Sequence, residues 1–127
     1  MEIPKIIAID YGTVRVGIAM SAGTLADPVA ILPNDDRLFE TIVRLCKEEG
    51  AQLILVGLSE NVMAEKTKLF VNKLRKHVDI PIEFMDETLS SHFVHKKLAV
   101  AKKSKRKGNI DHYAAAEFLQ EWIDEKY

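Results

Sequence analysis

The chain holds a single cysteine, Cys46, in 127 residues. No intrachain disulfide can form, which fits a reducing compartment, and Cys46, inside a helix-like stretch, reads as a packing residue. No apolar run approaches the roughly 20 residues that a membrane helix needs, so no membrane contact is expected. The opening "MEIPKIIAID" passes from an acidic residue straight into a strand-like run, without the basic stretch, apolar core and cleavage site of a secretory signal. The expected location is the cytoplasm. A net charge of -1 supplies no global positive field that would announce a nucleic-acid partner. Internal repeats and low-complexity linkers are also missing, apart from one basic run, and the length suits one core. Residues 1–127 are therefore expected to form one domain.

What is present reads as an α/β chain. A hydrophobic fraction of 47% with 29% charged residues is that of an ordinary water-soluble globular protein. Residues 4–10 and 14–21 read as strands joined by the tight turn "DYGT", the second with Val14, Val16, Ile18 and Met20 on one face. Gly12 and Gly17 serve that turn and a close strand approach. "DPVAILP" (27–33) is a third strand. "NDDRLFETIVRLCKEEG" follows as an amphipathic helix, with Leu38, Ile42 and Leu45 inward, acids at its start and Gly50 after its end.

"QLILVGL" (52–58) is a continuous apolar run, as expected of a strand covered on both faces. A helix over about 63–77 carries Phe70, Leu74 and Val78 at four-residue spacing. "IPIEFM" (80–85) is a fifth strand, and "DETLSSHFVHKKL" leaves it as a helix with Leu89 and Phe93 inward. A last helix covers about 109–126. The order β-β-β-α-β-α-β-α-α describes an antiparallel meander feeding a parallel α/β half.

Acidic residues stand where such a sheet gathers its chemistry, outside the carboxyl ends of the parallel strands. Asp10 ends the first strand, and Asp86 and Glu87 end the fifth. In the last helix Asp111, Ala115, Phe118 and Trp122 fall at steps of four, three and four, so Asp111 shares the stripe that packs on the sheet. Each acid alone has a plainer reading, Asp10 as a turn residue and Asp111 as a first-turn helix acid. As a set they point to divalent cations, because crowded carboxylates need a positive charge among them. Mg²⁺ or Mn²⁺ suits hard oxygen ligands, and two such ions about 4 Å apart serve phosphodiester hydrolysis.

Other residues carry weaker signals. "KKSKRK" brings Lys102, Lys103, Lys105, Arg106 and Lys107 together just before the last helix, as a solvated loop or a phosphate-binding one. Arg15, after the glycine turn, is in reach of a phosphate or simply faces solvent. His92 and His95 lack the further ligands that zinc requires, and His112 points about 100° from Asp111. "DYGT" also resembles the phosphate loop of actin-like ATPases, which need two such domains.

Four ordered motifs, "IIAIDYGTVRVGIAMS", "LILVGL", "MDETLSS" and "IDHYAAAEFLQEWI", span almost the whole chain. Together they resemble the YqgF (RuvX) family of pre-16S ribosomal RNA nucleases, within the RNase H-like superfamily. The resemblance implies an RNase H-like fold with a five-stranded mixed sheet of order 3-2-1-4-5, strand two antiparallel to the rest, and helices on both faces. It also implies a metal-dependent nuclease that trims the 5′ end of precursor 16S rRNA, leaving 5′-phosphate and 3′-hydroxyl ends. Holliday junction resolution on branched DNA, by a dimer, is the alternative within enzymes; a non-catalytic ribosome-assembly module is the alternative outside them. The implied partners are nucleic acid and ribosomal particles, with the chain a monomer or homodimer. By the same resemblance Asp10, Glu87 and Asp111 match the catalytic metal ligands, and Asp86 would support them without touching the ion. One departure stands out: the family's G-L-P-x-x-x-x-G after strand four reads "GLSENVMAEKT" here, with Ser59 for the proline and no glycine until Gly108.

Overall fold

The computed structural model describes residues 3–58, 62–86 and 110–127. Strands β1 (Ile6–Asp10), β2 (Arg15–Ala22) and β3 (Leu25–Pro33) form the meander. Helix α1 (Leu38–Glu49), β4 (Leu53–Leu58), helix α2 (Val62–Leu74), β5 (Ile82–Asp86) and helix α3 (Ile110–Lys126) follow. The helix expected directly after β5, with Leu89 and Phe93, lies outside the described residues.

The five strands lie in the order β3-β2-β1-β4-β5. β1 pairs antiparallel with β2 and parallel with β4, β2 pairs antiparallel with β3, and β4 pairs parallel with β5. β2 alone runs against the others, as the resemblance implied.

Strand alternation divides the core in two. Ile7 and Ile9 of β1 join Val16, Ile18, Ile54 and Val56 under α1 and α2. Ile6 and Ala8 join Ala19, Leu53 and Leu55 under Ala115, Phe118, Leu119 and Trp122 of α3. Central β1 and β4 are thus buried on both sides, which is why they read as unbroken apolar runs. Cys46 is buried in the first of these clusters, confirming it as packing, and burial pushes its thiol pKa up.

Local chemistry moved several expected boundaries. Val14 is 73% exposed and precedes β2, so it leaves the inward face to Val16, Ile18 and Met20. α1 begins only at Leu38, because the Asp35 carboxylate accepts from the Arg37 N–H at 3.0 Å and holds residues 34–37 as a turn. On α1 the buried stripe is Leu38, Ile42 and Cys46, with Leu45 beside it. α2 stops at Leu74, where the chain tightens to three-residue spacing in the His77 N–H to Leu74 C=O bond of 2.9 Å. Val78, expected on that helix, packs against the core just beyond it. β3 starts two residues early and carries a register shift opposite Ile18/Ala19, and Pro28 sits there without loss because β3 is an edge strand.

Candidate active site

Three of the parallel strands, β1, β4 and β5, end at one edge of the sheet, and Asp10 is the last residue of β1. Counting by twos from Ile6 and Ala8 puts Asp10 on the α3 face. It is only half-buried, whereas the four residues before it are fully buried. Its partner across β2 is Gly17. On the other side Ile9 pairs with Val56, so Gly57 comes next to Asp10 on β4. Gly57 follows Leu53 and Leu55 by twos on the same face. Asp10 is therefore flanked on both neighbouring strands by glycines.

The turn that carries Asp10 is held from two directions. Asn34, just after β3, donates its side-chain N–H to the Gly12 carbonyl at 2.7 Å and its backbone N–H to the Val14 carbonyl at 2.9 Å. Tyr11 stacks on Phe70 of α2, with ring centroids 4.4 Å apart. Gly12 is required here by a close approach, since a Cβ at that position would lie 2.4 Å from the Arg15 carbonyl oxygen. Arg15 itself opens β2, pairs in register with Pro33 and is exposed at the same edge.

α3 brings its first turn toward that edge. Gln120 accepts from the Ala26 N–H at 2.9 Å and donates to the Thr24 carbonyl at 2.7 Å, which pins the helix to the β2–β3 hairpin. Ala26 pairs with Ser21, whose hydroxyl accepts from the Ile6 N–H, so this anchor sits level with the start of β1. From Gln120 back to Asp111 is nine residues of helix, about 14 Å. From Ile6 to Asp10 is four residues of strand, about 13 Å. Ala8, Ala19 and Ala115 keep the layers close along the way. Measured from that anchor, the two lengths are about equal.

Of the residues expected in the site, the structure describes Asp10 and Arg15 in full and Asp111 as a backbone position in α3. Glu87, the basic residues Lys102, Lys103, Lys105, Arg106 and Lys107, and His92 and His95 lie outside the described residues, as do Ser59 and the side chains of Asp86 and His112. Among the described residues no three histidine, cysteine, aspartate or glutamate side chains gather as a metal site, and no helix is long and apolar enough to cross a membrane. Sequence reasoning missed Asn34 and the paired glycines. Period-two counting along "LILVGL" would have set Gly57 beside Asp10 only with the strand register in hand.

A family model described as "RuvX: Holliday junction resolvase" matches residues 4–125. A protein of Sulfurihydrogenibium sp. named "Putative pre-16S rRNA nuclease" is 35% identical over 94% of this chain and 90% of its own length. One of the same name from Crocosphaera subtropica is 31% identical over 99% and 96%. Among solved structures, T. thermophilus RuvC in complex with a Holliday junction substrate superposes with a TM-score of 0.64 over 98% of this chain and 96% of its own, at 12% identity. The fowlpox virus Holliday junction resolvase gives 0.60 over 97% and 99%, at 11% identity. These two likenesses establish the RNase H-like sheet and its helices as the fold. The family match over nearly the full chain and the identity with the curated relatives lead to one conclusion: this chain belongs to the RuvX family.

Proposed function

We propose that this chain is a metal-dependent nuclease that hydrolyses phosphodiester bonds, acting on the 5′ end of precursor 16S ribosomal RNA. The observation that carries the reading is Asp10 at the carboxyl end of β1, flanked by Gly17 and Gly57 on the neighbouring strands. The names of the curated relatives support the RNA substrate. Residues 1–127 would act as one domain in the cytoplasm.

Asp10 suits a hard divalent cation, because it offers a half-buried carboxylate at a strand end between two glycines. Asp10, Glu87 and Asp111 would hold Mg²⁺ or Mn²⁺. When bound, such an ion supplies Lewis-acid polarisation of the phosphate and a more acidic water. The chain's own part is positioning. Asn34 and Tyr11 hold the turn on which Asp10 and Arg15 stand. Arg15 offers a planar cation to a phosphate oxygen, and Lys102, Lys103, Lys105, Arg106 and Lys107 would hold the backbone on either side.

The test is cleavage of an RNA spanning the precursor junction, in Mn²⁺, by the wild type and by Asp10→Asn. The variant is expected to lose cleavage while its melting temperature stays within about 2 °C; undiminished cleavage would remove the basis of the reading. The family description favours one alternative, resolution of branched DNA. A four-way DNA junction run beside the RNA separates them: cleavage of the junction alone makes the protein a resolvase, and binding of either without cleavage makes it a non-catalytic module.

A further inference from the structure

Tyr11, next to Asp10, opens onto the other face of the sheet, where a groove of about 450 Å³ runs between the start of α1 and the outer side of α2. Its inner wall is aromatic: Phe70 lies between Tyr11 and Phe39, with centroids 4.4 and 5.4 Å away. Phe70 is a core residue, 4% exposed, but Tyr11 and Phe39 are only half-buried, and Leu69 on the rim is 62% exposed. Tyr11 and Phe39 also pack against the first core cluster, so each gives the groove only the part of its ring that the core leaves uncovered. Lys66 and Lys73, two turns apart on α2, line the same groove and are exposed.

Aromatic surface combined with lysines is the combination that binds unpaired nucleotides. Bases stack on rings whatever their identity, and ammonium groups hold the backbone. Two acids also line the groove. Asp35 is engaged in its own turn with the Arg37 N–H, and Asp36 lies exposed at the mouth, where it meets the amino edge of a base rather than a phosphate. The groove volume falls in the range of small-ligand sites.

We propose that this groove holds an unpaired nucleotide of the bound nucleic acid, on a strand that passes round the sheet edge from Asp10. Resting on the nuclease reading above, it makes the preferred substrate one with a single-stranded flank beside the cleavage point. The base lies over the uncovered parts of Tyr11 and Phe39 beside Leu69, while Lys66 and Lys73 meet the phosphates that flank it. Tyr11 couples the two sites, being one residue from Asp10 and one wall of the groove.

The experiment measures binding with EDTA present, so that its outcome is independent of whether the chain cleaves. The probe is a fluorescein-labelled single-stranded RNA decamer, with an RNA duplex of the same length as comparison, titrated from 50 to 200 mM salt. Lys66→Ala/Lys73→Ala is expected to lower the salt slope for the single strand by about 1.4, two contacts at roughly 0.7 each. Phe39→Leu is expected to weaken single-strand binding roughly tenfold, within the range for one stacked base, and to leave the duplex unchanged, whereas Phe39→Tyr keeps both. Melting temperatures confirm that each variant is folded. An unchanged slope in the double variant overturns the proposal, as does an equal loss on duplex and single strand in Phe39→Leu.

Discussion

Gly12 shows how a single side chain is decided by its surroundings. The Arg15 carbonyl occupies the place of a Cβ, so Gly12→Ala must push the turn open. The expected cost is about 1–3 kcal/mol, as for other overpacked sites, read from urea unfolding, with a larger proportional loss of cleavage because Asp10 and Arg15 stand on either side. Cys46 responds to pH instead. Its thiol pKa is raised by burial, so in alkali the unfolded chain loses the proton first. Its contribution is complete below the ordinary thiol range and is lost as pH rises through the folded-state value. Urea midpoints should therefore fall more steeply with alkaline pH in the wild type than in Cys46→Ala; parallel pH profiles would refute this. A glycine in a turn was legible from residues 10–13, but the carbonyl that requires it was not, because that contact exists only once β2 folds back.

Among elements, α3 has the least conspicuous pattern and the largest role. Ala114, Ala115, Phe118, Leu119, Trp122 and Ile123 are all buried, and they span about half of the helix circumference. The expected stripe of Ala115, Phe118 and Trp122 is inside, yet burial spreads well beyond it because the helix lies across β1, β2 and β3 and keeps its small residues against them. What aligns the helix lengthwise is Gln120, with its two bonds to the β2–β3 hairpin. Gln120→Ala leaves both hairpin groups to find water and is expected to cost about 1–2 kcal/mol. If that anchor sets the height of the Asp111 turn, the variant also needs more Mn²⁺ for half-maximal cleavage. Stability lost with an unaltered Mn²⁺ requirement would show that packing alone aligns α3. Nothing in the local sequence marks Gln120, since its partners, Thr24 and Ala26, are 94 or more residues away.

For the whole molecule, charge is the informative quantity. A net charge of -1 cannot draw a polyanion by its overall field, so binding has to rest on where the cations stand. Removing the five between residues 102 and 107 is expected to flatten the salt dependence of duplex binding by about 4.5, at roughly 0.9 per phosphate contact. Titrations of wild type and the five-alanine variant in EDTA measure this directly, and superimposable slopes would assign the contacts elsewhere.

Element order, the two-sided burial of β1 and β4, and the placing of Asp10 at a strand end were all present in the linear order of residues. They follow from periodicity and turn chemistry, which act between near neighbours in the chain. Sheet order rested on family likeness, and the strand pairing then confirmed it. Only the folded chain could reveal that Gly17 and Gly57 bracket Asp10, that Asn34 ties its turn, or that Tyr11 lines a groove on the opposite face. Those relations depend on hydrogen-bond register and on packing between segments tens of residues apart, and a side-chain pattern of period two or 3.6 carries no information about which strand lies alongside or at what height.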